Sequence, residues 1–171
     1  MSIRVSFGIL FLIIASGCAA NEADVGAPES VETDSTEVSS GLIVLQSDAD
    51  VETTYGRLIA ALEANENISV MAEIDHEANA ATVGLELRPI RVVLFGNPNL
   101  GTPLMQVEPT IAIDLPQKML VWEGETGQVF VGYNDPHYIA NRHGMSTGSS
   151  LPQIANALNR LANVAAGTPG N

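Results

Sequence analysis

The chain has 171 residues, a formal net charge of −13 at pH 7 and 46% hydrophobic residues. That acidic balance argues against nucleic acid as a partner and against electrostatic docking on anionic lipid heads, since both rest on Lys and Arg. The one cysteine allows no intramolecular disulfide and no thiolate metal cluster.

The N-terminus reads as an export signal. Arg4 supplies a positive charge, and Val5–Ala15 is apolar over about eleven residues, short of the roughly twenty that a spanning helix needs. Ala15-Ser16-Gly17-Cys18 follows and resembles a bacterial lipobox. On this reading residues 1–17 are the signal peptide and Cys18 becomes the lipid-modified first residue. The protein is then exported to the bacterial cell envelope, facing the periplasm or the exterior, and acyl chains on Cys18 hold it to the membrane. Residues 18–40 carry six acids, no Lys or Arg, and almost no large apolar side chain. Such a stretch buries too little surface to offset its ordering entropy, so it reads as a disordered tether. Residues 41–166 have the size of one domain, with fourteen acids against six bases. Residues 167–171 read as a flexible tail.

Within the domain, Gly41–Gln46 reads as a strand. Ser47 or Asp48 caps a helix in which Val51, Tyr55, Leu58, Ile59 and Leu62 share one face. Ile68–Ile74 alternates and reads as a second strand, and Asp75 then caps a short helix closed by Gly84. Ile90–Phe95 is a strand apolar enough to be buried on both faces. The loop Phe95–Met105 holds two prolines and two glycines, and Thr102-Pro103 predicts a short helix over 104–107. Thr110–Asp114, Lys118–Glu123 and Gln128–Tyr133 predict a three-stranded antiparallel meander. Asp135-Pro136 starts another short helix ended by Gly144. Ser149 or Ser150 caps the last helix, with Leu151, Ile154, Leu158, Leu161 and Ala165 on one face. The order predicts a single compact α+β domain, with helices covering a mixed or antiparallel sheet.

Eight short stretches in this order are Ile74-Asp75-His76, Leu85–Pro89, Phe95–Pro98, Gly101–Met105, Ile113–Pro116, Leu120–Glu123, Tyr133–Pro136 and Arg142-His143-Gly144. Together they resemble the bacterial and archaeal family catalogued as domain of unknown function 302. The resemblance implies a compact α+β domain, sometimes exported and often a homodimer. It implies no established activity.

The polar residues of these stretches fall where strands meet short helices, the usual place for a site. His76, Asp114 and His143 are the candidates for acid–base catalysis, because histidine titrates near neutrality and a carboxylate can orient it. Asp75, Asn97, Asn134 and Asp135 are the candidates for ligand binding. Gathering all of them requires their loops to share one edge of the sheet. Asp75 and Asp135 also suit helix capping, Asn97 suits a turn, and Asp114 suits an ion pair with Arg88, Arg91 or Lys118. No HExxH or HxH spacing, phosphate loop or nucleophile elbow is present, so no metal or cofactor is expected. Three readings follow: a binding module for a small molecule or protein, a histidine–carboxylate enzyme, and a dimerisation module without a site.

Overall fold

The computed structural model of the protein describes residues 40–145, 148 and 150–168. The signal peptide, Cys18, nearly all of the tether and the last three residues of the tail lie outside the described residues. Five strands, β1 (Leu42–Gln46), β2 (Ser69–Asp75), β3 (Ile90–Gly96), β4 (Gln117–Glu123) and β5 (Val129–Asn134), form one sheet in the order β1-β5-β4-β3-β2. Every pairing is antiparallel, so the mixed sheet among the expectations is not found. Among the described residues five α-helices accompany them: α1 (Val51–Glu63), α2 (His76–Ala81), α3 (Pro98–Val107), α4 (Pro136–Arg142) and α5 (Leu151–Ala166).

The two long helices form where the apolar spacing places them. In α1, Val51, Tyr55, Leu58 and Leu62 are buried; in α5, Leu151, Ile154, Leu158, Leu161 and Ala165 are. Both lie on the sheet face that carries Val93, Phe95, Met119, Val121, Val131 and Tyr133, all buried. The cap of α1 is Asp50, whose side chain accepts from the Thr53 amide, and not Ser47 or Asp48. Ser47 instead bonds the fully buried Thr54 hydroxyl at 2.6 Å, and Asp48 pairs with Arg57. Ser150 occupies the cap position of α5 without capping it, because its hydroxyl donates to the Leu100 carbonyl at 2.8 Å. At the other end Gly167 takes φ 72°, and the Thr168 amide donates to the Asn163 carbonyl at 3.1 Å. The first two residues of the expected tail are therefore the cap of α5.

Three expectations are corrected. Residues 109–113 form a 3-10 helix where a strand was expected. Their alternation of β-branched residues mimics a strand, but Pro109 sets the first turn and Glu108 accepts from the Thr110 amide at 3.0 Å. Helix α3 begins at Pro98, capped by Asn97, and Pro103 lies inside it. Asn97-Pro98 carries the same cap-plus-proline pattern as Thr102-Pro103, five residues earlier. Strand β3 is buried on one face only: Val93 and Phe95 are inside, while Val92 and Leu94 stay partly exposed.

Leu58 is completely buried between the sheet and α5. Leu58→Ala should therefore lower unfolding stability by about 2–5 kcal/mol, read by urea denaturation.

Candidate functional site

Strand direction decides which candidates meet. Strand β3 runs toward Asn97, β5 runs toward Asn134, and β4 begins beside them, since Gln117 pairs with Phe95 and Met119 with Tyr133. Asn97, Asp114, Asn134, Asp135 and His143 thus share one end of the sheet. Asp75 pairs with Arg91, at the start of β3, so Asp75 and His76 sit at the opposite end. They do not join the others. Asp75 caps α2 through the Ala78 amide and pairs with Arg91 Nε at 3.3 Å. Arg91 also reaches Glu52 at 2.7 Å and stacks 5.6 Å from the Tyr55 ring. Burial, aided by the bond to Glu73, pushes the Tyr55 hydroxyl above its ordinary range. His76 is exposed on α2.

At the shared end, Asp114 and His143 meet. His143 Nε2 lies 2.6 Å from Asp114 Oδ2, and both side chains are largely buried. Arg142 adds a longer contact of 3.2 Å from a more exposed position. The partners expected for Asp114 were Arg88, Arg91 or Lys118. Lys118 instead donates to two backbone carbonyls, of Asp114 and Pro116. On the other side of the ring, His143 Nδ1 lies 2.9 Å from the Thr110 hydroxyl, which is 2.7 Å from Glu108 Oε1. The four side chains form one chain, Asp114–His143–Thr110–Glu108. Thr110 donates its hydroxyl proton to Glu108, so its oxygen accepts from Nδ1–H of His143.

An acid–base enzyme needs such a pair at an open cleft. Here Asp114 faces a recess of about 10 Å³, and neither residue lines the apolar pocket of about 290 Å³ at the same end. The network acts as a clasp, fastening the 3-10 helix to the end of α4. Asn97 and Asp135 are both spent on capping: each side chain accepts the amide two residues on, at 2.9 Å. Asn134 closes β5 opposite Leu42.

The pocket at this end is apolar. Its volume is about 290 Å³, and Ile68, Met71, Phe95, Leu100, Met105 and Leu115 supply much of its wall, with Ile154, Ala157 and Leu158 of α5 behind. Asn97, Thr102 and Gln117 give polar groups at its margin. The stretch Phe95–Met105 provides eight of the lining residues, so this corner of the chain is also a wall. Ala112, Leu115 and Pro116 form the neighbouring wall, between or beside the clasped residues Thr110 and Asp114. Sequence reasoning picked out the polar members of the rim and missed these apolar ones. Thr110 and Glu108 were also missed, although Glu108-Pro109-Thr110 carries a capping pattern. Among the described residues no group of three or more His, Cys, Asp or Glu is placed to hold a metal, and no helix is long and apolar enough to cross a membrane.

These features define a two-layer α+β domain with an apolar pocket at one end of an antiparallel sheet. The chain belongs to the family described as Domain of unknown function DUF302, which matches residues 43–166. It is 36% identical over 132 residues to proteins named Fluoride-specific ion channel FluC 1 from Brucella suis and from Brucella abortus. The match covers 76% of this chain and 52% and 48% of those proteins. The chain thus spans about half the length of these relatives. The crystal structure of an uncharacterized conserved DUF302 protein from Bacillus stearothermophilus superposes with a TM-score of 0.60 at 16% identity. That superposition covers 75% of this chain and 97% of the other and establishes the fold.

The clasp should be worth more than its exposed arm. His143→Ala leaves the Asp114 carboxylate without its closest partner and should cost about 1–3 kcal/mol. Arg142→Ala should cost under about 1 kcal/mol, because that guanidinium is 57% exposed. Chemical denaturation of both variants checks the order.

Glu108 gives a pH test. The hydroxyl and amide of Thr110 hold its carboxyl below the usual carboxylate range. The folded state therefore favours the ionised form. Its contribution is complete above the unfolded carboxylate pKa and is lost as pH falls through the lower folded value. Glu108→Gln should lose less of its thermal midpoint on acidification than the wild type does.

Proposed function

We propose that this chain is an exported, lipid-tethered domain that holds a small apolar molecule in the pocket between α3, α5 and the end of the sheet. The observation that carries this reading is the pocket lining. An apolar cavity of about 150 Å³ already takes up benzene, and drug-sized ligand sites start near 300 Å³. A pocket of about 290 Å³ with three polar groups at its margin matches a small, mostly hydrocarbon ligand with one polar end. Acid–base catalysis is the lesser reading, since the recess that Asp114 faces is only about 10 Å³.

Placement at a membrane rests on the lipobox ending at Cys18. The relatives support it indirectly. A stretch similar to this domain makes up about half of proteins named as ion channels, yet no helix among the described residues is long and apolar enough to span a bilayer. Fluoride is a poor ligand for the pocket: its lining contains no Lys, Arg or His, and acids outnumber bases fourteen to six in residues 41–166.

The test is recovery of a bound molecule. The full chain, purified from its source under native conditions, should retain a small apolar compound detectable by native mass spectrometry. Ala157→Phe puts a ring into the pocket from α5. It should lower affinity for a fluorescent apolar probe, N-phenyl-1-naphthylamine, by about tenfold or more, equal to about 1.4 kcal/mol. Equal probe binding by the variant and the wild type would remove the pocket from the account.

A further inference from the structure

The end of the sheet away from the apolar pocket carries a second recess. Its volume is about 920 Å³, and it lies where β3 begins and β4 ends. The segment between α2 and β3 gives it Leu85, Leu87 and Arg88, and the paired strand residues Ile90 and Trp122 give it an apolar floor. Ile90 and Trp122 belong to the open face of the sheet, the one turned away from α1 and α5, because the alternate residue Val121 is buried under the helices. Leu85 and Leu87 are 65% and 41% exposed, so uncovered apolar surface lines the recess. Trp122 is held in one position there. Its ring stacks 5.4 Å from that of Phe130 and lies against Gly132, where a Cβ would come within 2.9 Å of the indole.

The carboxylates of the domain are distributed unevenly about this recess. Eight of the fourteen acids in residues 41–166 have a side-chain partner in the fold: an arginine, a histidine, a tyrosine, or an amide that they cap. Among the described residues the six without one are Glu63, Glu66, Glu77, Glu86, Glu123 and Glu125. The last four all line the recess. Arg88 is the only base in that lining, and it forms no ion pair among the described residues. The recess therefore joins apolar walls to an excess of negative charge that the fold leaves uncompensated.

Its backbone is open as well. The Leu85 amide donates to the Ala80 carbonyl and the Pro89 carbonyl accepts the Glu123 amide, but residues 86–88 between them are neither helix nor strand and make no backbone hydrogen bond among the described residues.

We propose that this recess is the docking site for a basic peptide segment in which Lys or Arg alternate with apolar residues. The cations of such a segment meet Glu77, Glu86, Glu123 and Glu125, and one of them can lie over the Trp122 ring. Its apolar side chains cover Leu85 and Leu87, and its backbone pairs with residues 86–88 as an added strand. A second copy of this acidic chain and an anionic lipid surface are both repelled. The proposal is independent of the apolar pocket, which lies at the other end of the sheet.

Trp122 is the chain's single tryptophan and reports the recess directly. Titrating the full chain with the peptide acetyl-Lys-Leu-Lys-Leu-Lys-Leu-amide should move its emission to the blue and saturate. Affinity should fall by about tenfold or more between about 20 and about 500 mM NaCl, as screening weakens the charge contacts. Glu86→Gln combined with Glu125→Gln should also weaken binding by about tenfold or more, with unchanged far-UV circular dichroism. Arg88→Gln should tighten it, a gain that a damaged fold would not give. Glu63→Gln combined with Glu66→Gln removes unpartnered acids outside the recess and should leave the affinity as it is. If the Glu86 and Glu125 pair does not fold, Glu77→Gln on the exposed side of α2 serves in its place. No saturable change in emission would overturn the proposal. So would equal binding of the peptide with Glu in place of Lys, equal binding of spermine, which has no apolar side chains, or an equal loss from the Glu63 and Glu66 pair.

Discussion

The structure depends on one-sided burial. Helices α1 and α5 lie across the same face of a five-stranded sheet, and Leu58, Leu62 and Leu158 close over Met119, Val121 and Val131. Side chains alternate along each strand, so sealing one face fixes the other as a continuous apolar surface whenever the strands are apolar throughout. The same packing sets the pocket. The pocket draws its walls from α3, α5 and the end of β3, and Phe95, Met105, Ile154 and Leu158 bound it.

The polar residues at that end hold the walls in place. Asn97 caps α3, Asp135 caps α4, and Asp114 and Thr110 grip the two sides of the His143 ring. This division of labour explains why a rim rich in Asn, Asp and His surrounds an apolar space. Each polar group satisfies a backbone or side-chain partner, and most of the pocket lining is left to Met, Leu, Ile and Ala.

Much of the fold is legible in the sequence because its elements obey local rules. Leu58 and Leu62 in α1, and Leu151 to Ala165 in α5, follow helical spacing, and Asp75 and Asp135 announce their helices. The stretch 109–113 misleads because Thr-Ile-Ala-Ile alternates like a strand; the cap from Glu108 and the proline at 109 decide it otherwise. The start of α3 is ambiguous because two cap-plus-proline pairs stand five residues apart. The site was less legible for a topological reason. Asp114 and His143 are 29 residues apart in sequence, and whether His76 lies with them depends on strand direction, which local patterns do not encode. An apolar pocket wall also reads as ordinary core until the helix behind it is placed.

On the proposed reading an apolar ligand enters between α3 and α5. The most direct measurement is an amide chemical-shift titration of the full chain with benzene. Shifts concentrated in residues 95–105, 112–117 and 154–158 are predicted. Absence of shifts there, or shifts confined to Leu120, Trp122 and Phe130 on the open face, would contradict it.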